Sequence, residues 1–383
     1  MHYFDNAATT FPKPEIVYKT MDEFYRTNGV NVGRGQFKEA SIANKMVEET
    51  KNLILNLFHC NKGNRQVVFT PSATEAMNLV LRGLQLNEGD MVYITPFEHN
   101  AVLRTLNYLE KTRKIIIKII YPDKNTLCYD MCQIEKQFDL AKPKIVIVNH
   151  ASNVFGFVAP IKNIFNLAKK HNAITIADMA QTAGLIDTNL VDIQCDYAIF
   201  AGHKTLYGPF GIAGVVAPNN CSLKPLIFGG TGTESANPEM PKDEPIRYEA
   251  GSPNIQSIVG LNAALKWINN IGINNIRKKE EENKQRLIDI LETHKNIIVY
   301  KGRHCENIGV TSCNFDNYSS DSIGQVLSNF DIAVRTGLHC APKAHEFMGT
   351  FPSGTVRFSI NYFTSDKDFD KLKETLDYIE TNA

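Results

Sequence analysis

The chain has 383 residues, 43% of them hydrophobic and 21% charged, with 41 basic side chains balanced by 41 acidic ones. That length exceeds what one hydrophobic core supports and predicts two domains, while the charge balance argues against nucleic acid or an anionic membrane as the main partner. No apolar run reaches membrane-spanning length, the N-terminal MHYFDNAATT lacks the basic and apolar segments of a signal peptide, and the eight cysteines are scattered as expected of reduced thiols in a cytoplasmic enzyme.

From about residue 66 to 217, short β-branched runs alternate with helical patterns. QVVFT, DMVYIT, KIIIKII, KIVIVN, AITIAD, YAIFAG and GVVAP read as strands, and SATEAMNLVLRGL and IKNIFNLAKKH as helices between them. The alternation predicts an α/β fold with a largely parallel sheet covered on both faces, whose ligand site lies beyond the carboxyl ends of the strands. The stretch from Leu226 to Pro253, rich in Gly, Pro and charge, reads as a long functional loop. Helical patterns near 276–294 and 369–380, with short strands between them, predict a smaller α+β domain. The expected division is a large domain over 15–255 and a small one built from 1–14 with 256–383.

Taken in chain order, four strand ends carry candidate chemistry. In TPSATEAMN, Ser72 and Glu75 have the spacing of a capping box, and a helix start after a strand suits a phosphate; a plain helix cap is the bland alternative. In EHNA, His99 follows a strand and could stack on an aromatic ring, or be a satisfied structural histidine. Asp178 ends the apolar strand of AITIADMAQ, where a carboxylate needs a cationic partner such as a protonated pyridine nitrogen or else caps the next helix; Gln181 lies within reach of a neighbouring ring substituent. Lys204 ends the strand of YAIFAGHK beside Gly202, where a lysine of lowered pKa can form a Schiff base with an aldehyde cofactor. The order of phosphate site, stacking histidine, aspartate and lysine is that of pyridoxal phosphate enzymes.

The sequence resembles the class V aminotransferase group of fold-type I pyridoxal-phosphate enzymes, and within it the cysteine desulfurases and selenocysteine lyases. The resemblance is carried by YFDNAATTFPKP (3–14), SATE, EHN, HASNVFG (150–156), ADMAQ, GHKTLYGPFG (202–211), EAGSPN (249–254), RTGLHCAP (335–342) and TVRFS (355–359). It implies that pyridoxal 5'-phosphate is held through Lys204, with Asp178 on the pyridine nitrogen, His99 on the ring face and Gln181 on the ring hydroxyl. Ala73, Thr74 and His203 are implied as phosphate ligands, with Ser252 supplied from the second subunit of a homodimer. Asn153 and Arg357 are implied to hold the substrate carboxylate, and Asn153 is counted with the cofactor site as well. Two departures stand out: Ala201 replaces a Ser or Thr phosphate ligand, and Gly33 stands where related desulfurases often carry His.

Such a site acting on L-cysteine needs a second thiol to receive the sulfur, and Cys340 in RTGLHCAP is the candidate. Arg335 and His339 are expected to favour its thiolate, Gly337 to permit a turn and Pro342 to end strand pairing, with 344–354 lying over the pocket mouth. Arg335 is also placed with the substrate residues. The C-x3-C pair of Cys128 and Cys132 lacks the partners of a zinc site. The leading expectation is a cysteine desulfurase passing a persulfide from Cys340 to an acceptor protein. A selenocysteine lyase comes next, then another class V enzyme (aminotransferase, epimerase or β-lyase), and last a non-catalytic scaffold.

Overall fold

The structure, a computed structural model, describes residues 1–33, 35–302 and 305–381. Its central sheet has seven strands in the order Arg65–Thr70, Ala213–Pro218, Tyr197–Ala201, Ile174–Asp178, Pro143–Asn149, Met91–Ile94 and Ile116–Ile119. Ala213–Pro218 runs antiparallel to both its neighbours and the other pairings are parallel. The expected α/β architecture is therefore present, as a mostly parallel mixed sheet flanked by helices. The strands lack polar alternation because both faces are covered. Val146, Val148, Ala177 and Phe200 pack into the core on one face, while Ile145, Ile147, Ile176 and Ile199 fill the other.

A second sheet of four antiparallel strands follows the order Arg335–Gly337, Thr355–Ser359, Val310–Phe315 and Ile297–Tyr300. Helices Ile273–Glu292, Ser320–Asn329 and Asp366–Thr381 supply apolar side chains to its core, among them Leu287, Leu327 and Phe369. The chain start belongs here too, since His2–Tyr3 pairs in parallel with Ile332–Ala333. Helix Ile255–Ile271 does not follow the expected division at residue 255. Its Ile258, Leu261, Leu265 and Ile268 lie in the core of the central sheet with Phe200 and Leu206. The 226–253 stretch contains only the single short turn of helix Ile246–Tyr248.

The two sheets meet where the 150–158 segment crosses beneath strand Val310–Phe315. Ser312 donates to the Val154 carbonyl, Ile308 N–H to that of Gly156, and Arg357 to that of Asn153. Gly156 sits at φ 73°, and a Cβ there would stand 2.4 Å from the Val310 carbonyl oxygen. No other residue fits both the left-handed backbone and that approach. Gly156→Ala is expected to cost about 2–4 kcal/mol through strain and overpacking, read as a lowered urea midpoint with an unchanged slope.

Candidate functional site

The carboxyl ends of the central strands open into a cavity lined by Ala73, Thr74, His99, Asn149, Asn153, Asp178, Gln181, Ala201 and Lys204, among others. Thus the strand-end residues singled out from the sequence converge on one space. Each arrives by local folding. The Ser72 side chain accepts from Glu75 N–H and starts helix Ala73–Gly83, leaving Ala73 and Thr74 at its open N-terminus. His99 caps helix Asn100–Arg113 by accepting from Ala101 N–H through Nδ1, which leaves Nε2 to carry the proton of a neutral ring. Asp178 is paired in register with Asn149, and its carboxylate accepts from Ala180 N–H.

Lys204 follows strand Tyr197–Ala201 through Gly202 and His203, and its ammonium has no hydrogen-bond or ion-pair partner among the described residues. Its pKa lies below the usual lysine value because burial disfavours the charge and Arg357 repels it, while Asp178 and Cys340 oppose the shift. The lysine turn is held from outside by the N-terminal segment. Thr9 and Thr10 hydroxyls donate to the His203 and Lys204 carbonyls, and Lys13 Nζ to those of Thr10 and His203. His203 stacks on Phe210 with centroids 4.6 Å apart and leaves Nδ1 buried without a partner. Burial, Lys204 and Lys13 push it down to about 3, so it is a neutral ring.

Other residues named from the sequence already have partners within the chain or lie outside the cavity. Gln181 lines the cavity but its Nε2 donates to the Ala7 carbonyl. Asn153 donates to the His339 carbonyl and leaves Oδ1 buried and unpaired. Ser252 is exposed and does not reach this cavity within the chain. Gly33, at φ 136°, has both its N–H and its carbonyl bonded to the Asn44 side chain, away from the cavity. Ala201 lies in the cavity wall and brings no hydroxyl there.

Cys340 is exposed and borders an outer cleft of about 410 Å³ that shares Thr74, His99 and Ala101 with the inner cavity. Its carbonyl accepts from Asn100 N–H at 2.7 Å, so the thiol-bearing turn caps the same helix that His99 begins. His339 and Cys340 both adopt left-handed backbones, at φ 46° and 57°. The expected cationic help from His339 is corrected. That ring is buried, contacts Thr355 through Nε2, and is pushed down to about 2 by burial and Arg357, so it is neutral. Pro342 does not simply end pairing; it starts helix Pro342–Met348, and Phe347 of that helix stacks on Tyr121. Cys128 and Cys132 are free, and no cluster able to hold a metal occurs among the described residues.

Three residues that sequence reasoning did not single out belong to the site. Lys13 holds the lysine turn. Asp5, nearly buried, binds Arg335 through Nε and a terminal nitrogen and binds Arg357 Nη2 at 2.8 Å. Its place in the YFDNAATT motif was the signal, but its partners lie more than 300 positions away. Glu98 is fully buried next to His99, accepts at Oε1 from Thr95 and Asn149 N–H, and has no partner at Oε2. Burial, reinforced by Asp178, pushes it up to about 8.

The structure fits a member of a pyridoxal-phosphate family. A family description for class-V aminotransferases matches residues 2–372. The chain belongs to that family. A probable cysteine desulfurase of Methanothermobacter thermautotrophicus is 30% identical over 99% of this chain and 94% of its own length. One from Pyrococcus abyssi is 32% identical over 95% and 90%. Among solved structures, the apo form of a Thermococcus onnurineus cysteine desulfurase superposes with a TM-score of 0.92 at 28% identity, covering all of this chain and 95% of that one.

Glu98 gives the site a pH signature. Its folded pKa is raised above the unfolded value near 4.5, so its contribution is fully present below that value and is lost as pH rises through about 8. Against Glu98→Gln, the wild-type advantage in unfolding free energy is expected to fall by about 1.4 kcal/mol per pH unit across that window and level off above it. Paired urea melts between pH 5 and 9 measure this, and a flat difference contradicts a neutral Glu98.

Proposed function

We propose that the protein is a pyridoxal-phosphate-dependent cysteine desulfurase that converts L-cysteine to L-alanine and takes the sulfur onto Cys340. The observation that carries the reading is an exposed thiol bordering the outer cleft that shares Thr74, His99 and Ala101 with the cavity containing Lys204 and Asp178. The donor set suits the cofactor. An open helix N-terminus and the unpartnered His203 ring would hold its phosphate, Asp178 its ring nitrogen, His99 its face, and Lys204 its aldehyde carbon. When bound, pyridoxal phosphate supplies an electron sink that acidifies the substrate Cα–H.

The chain's own groups do the rest. Arg357 would orient the substrate carboxylate through its buried, unpartnered Nε–H, with the Asn153 amide beside it in the cavity wall. Lys204, with its lowered pKa, takes the Cα proton as a base and returns it. The Cys340 thiolate attacks the substrate sulfur. A sulfur–sulfur bond forms as the Cβ–S bond breaks, its electron pair stays on carbon, and protonation there leaves alanine. Homodimerisation would bring Ser252 of the second copy to the phosphate, and an acceptor protein would collect the persulfide at the exposed thiol. The cysteine desulfurases that this chain resembles along nearly its whole length support this reading over a scaffold, which has no use for a half-buried unpaired lysine.

Cys340→Ala is expected to lower alanine and sulfide formation from L-cysteine at least a hundredfold while keeping the cofactor's visible absorbance. Lys204→Ala should lose that absorbance as a protein adduct. L-Selenocysteine run in parallel separates the second reading: turnover of the selenium substrate surviving in Cys340→Ala, with wild-type efficiency far above that for cysteine, would make the enzyme a selenocysteine lyase. Unchanged cysteine turnover in Cys340→Ala rejects the sulfur-receiving role.

A further inference from the structure

Arg335 and Arg357 stand directly opposite one another across adjacent antiparallel strands. Like charges in that position repel. Asp5 enters between them from the other end of the chain, held in place by a bridge to Ser359 and by hydrogen bonds from Ala8 N–H and the Tyr3 hydroxyl to its carbonyl. Arg335 grips its carboxylate with Nε and Nη2 at 2.8–3.2 Å, and Arg357 reaches the same carboxylate with Nη2 at 2.8 Å. Among the described residues no other acid pairs with either arginine.

Two guanidinium groups and one carboxylate leave a single positive charge. The unsatisfied donor sits on Arg357, whose Nη1 is spent on the Asn153 carbonyl and whose buried Nε has no acceptor. Arg335 differs. Its side chain is 51% exposed, and its strand leads within three residues into the turn that carries Cys340. With Asp5 engaged, Arg335 is occupied; without Asp5 it becomes a second anion receptor beside the thiol.

We propose that Asp5 sets the charge selectivity of the substrate site, leaving one net positive charge that matches an amino acid with an uncharged side chain and disfavours one whose side chain is acidic. This rests on Arg357 as the substrate-carboxylate residue in the function proposed above. Asp5 is a positioning residue: it touches the arginines, not the substrate. Its effect follows from charge count, so it is separable from any general loosening of the fold.

The test titrates the holoenzyme with L-alanine and with L-aspartate by calorimetry and compares the ratio of their dissociation constants. Wild type is expected to favour alanine. Asp5→Asn should shift the ratio toward aspartate by about tenfold or more, the size of one additional partly buried charge contact. Asp5→Asn combined with Arg335→Gln restores one net positive charge and should return the ratio to within about threefold of wild type, as should Asp5→Glu alone. A ratio unmoved in Asp5→Asn, or an aspartate preference that persists in the double variant, overturns the proposal. So does failure of L-alanine to bind wild type. If Asp5→Asn does not fold, Arg335→Gln alone decides. It removes one of the two guanidinium charges, leaving no net positive charge, and should move the ratio further toward alanine; an unchanged ratio again overturns the proposal. Wild-type protein that forms no alanine from L-cysteine, yet shows the shift, would reject the desulfurase reading and leave the charge selection standing.

Discussion

Two cationic side chains opposite one another on adjacent strands are tolerable only with an anion between them, and here the anion comes from the far end of the chain. Asp5 ties strand Arg335–Gly337 and strand Thr355–Ser359 to a segment that then runs over the lysine turn. Breaking one partner of a buried ion pair strands a charge, a loss of about 3–5 kcal/mol, so the N-terminal segment is bound to the smaller sheet by more than packing. From Asp5 onward its Thr9, Thr10 and Lys13 hold the carbonyls around Lys204. Asp5 thus couples the two facing arginines to the turn that presents the lysine.

The thiol segment is held by a different means. Asn100 N–H, on the outer cleft, donates to the Cys340 carbonyl, and Asn153, in the inner cavity wall, donates to that of His339. Consecutive left-handed residues that are not glycine are costly and persist only where surrounding contacts over-determine them. The result is a fixed backbone with an exposed sulfur atom. A nucleophile that must meet a substrate inside and an acceptor outside requires that combination, and a cysteine packed as a small hydrophobe would show the reverse.

What the sequence revealed and what it hid divide along the range of the interactions. Strand runs, the Ser72 cap and the strand-end placement of Asp178 and Lys204 depend on neighbours a few positions apart, so periodicity and capping chemistry exposed them. His339 misled because protonation depends on burial beneath Thr355 and the field of Arg357, neither of which is local. Helix Ile255–Ile271 misled for a similar reason. It is apolar on most sides, with Val259 and Leu261 both fully buried, and sequence does not say which sheet claims it. Asp5 lay within a motif already noted, but its role exists only once strands 335–337 and 355–359 are in register.

The inner cavity adds a last constraint, carried by two acids at or just past the ends of the strands on either side of Pro143–Asn149. The Asp178 carboxylate accepts from Ala180 N–H, and its charge acts on Lys204 across the cavity. Glu98 is fully enclosed, has no cation beside it, and holds its proton near neutral pH. Ionising both would place two negative charges together in a space of low polarisability. Keeping Glu98 neutral avoids that second negative charge close to Asp178. The same neutral carboxyl fastens strands Met91–Ile94 and Pro143–Asn149 through Thr95 and Asn149. Rigidity at the strand ends and relief of like-charge repulsion with Asp178 therefore come from one buried proton.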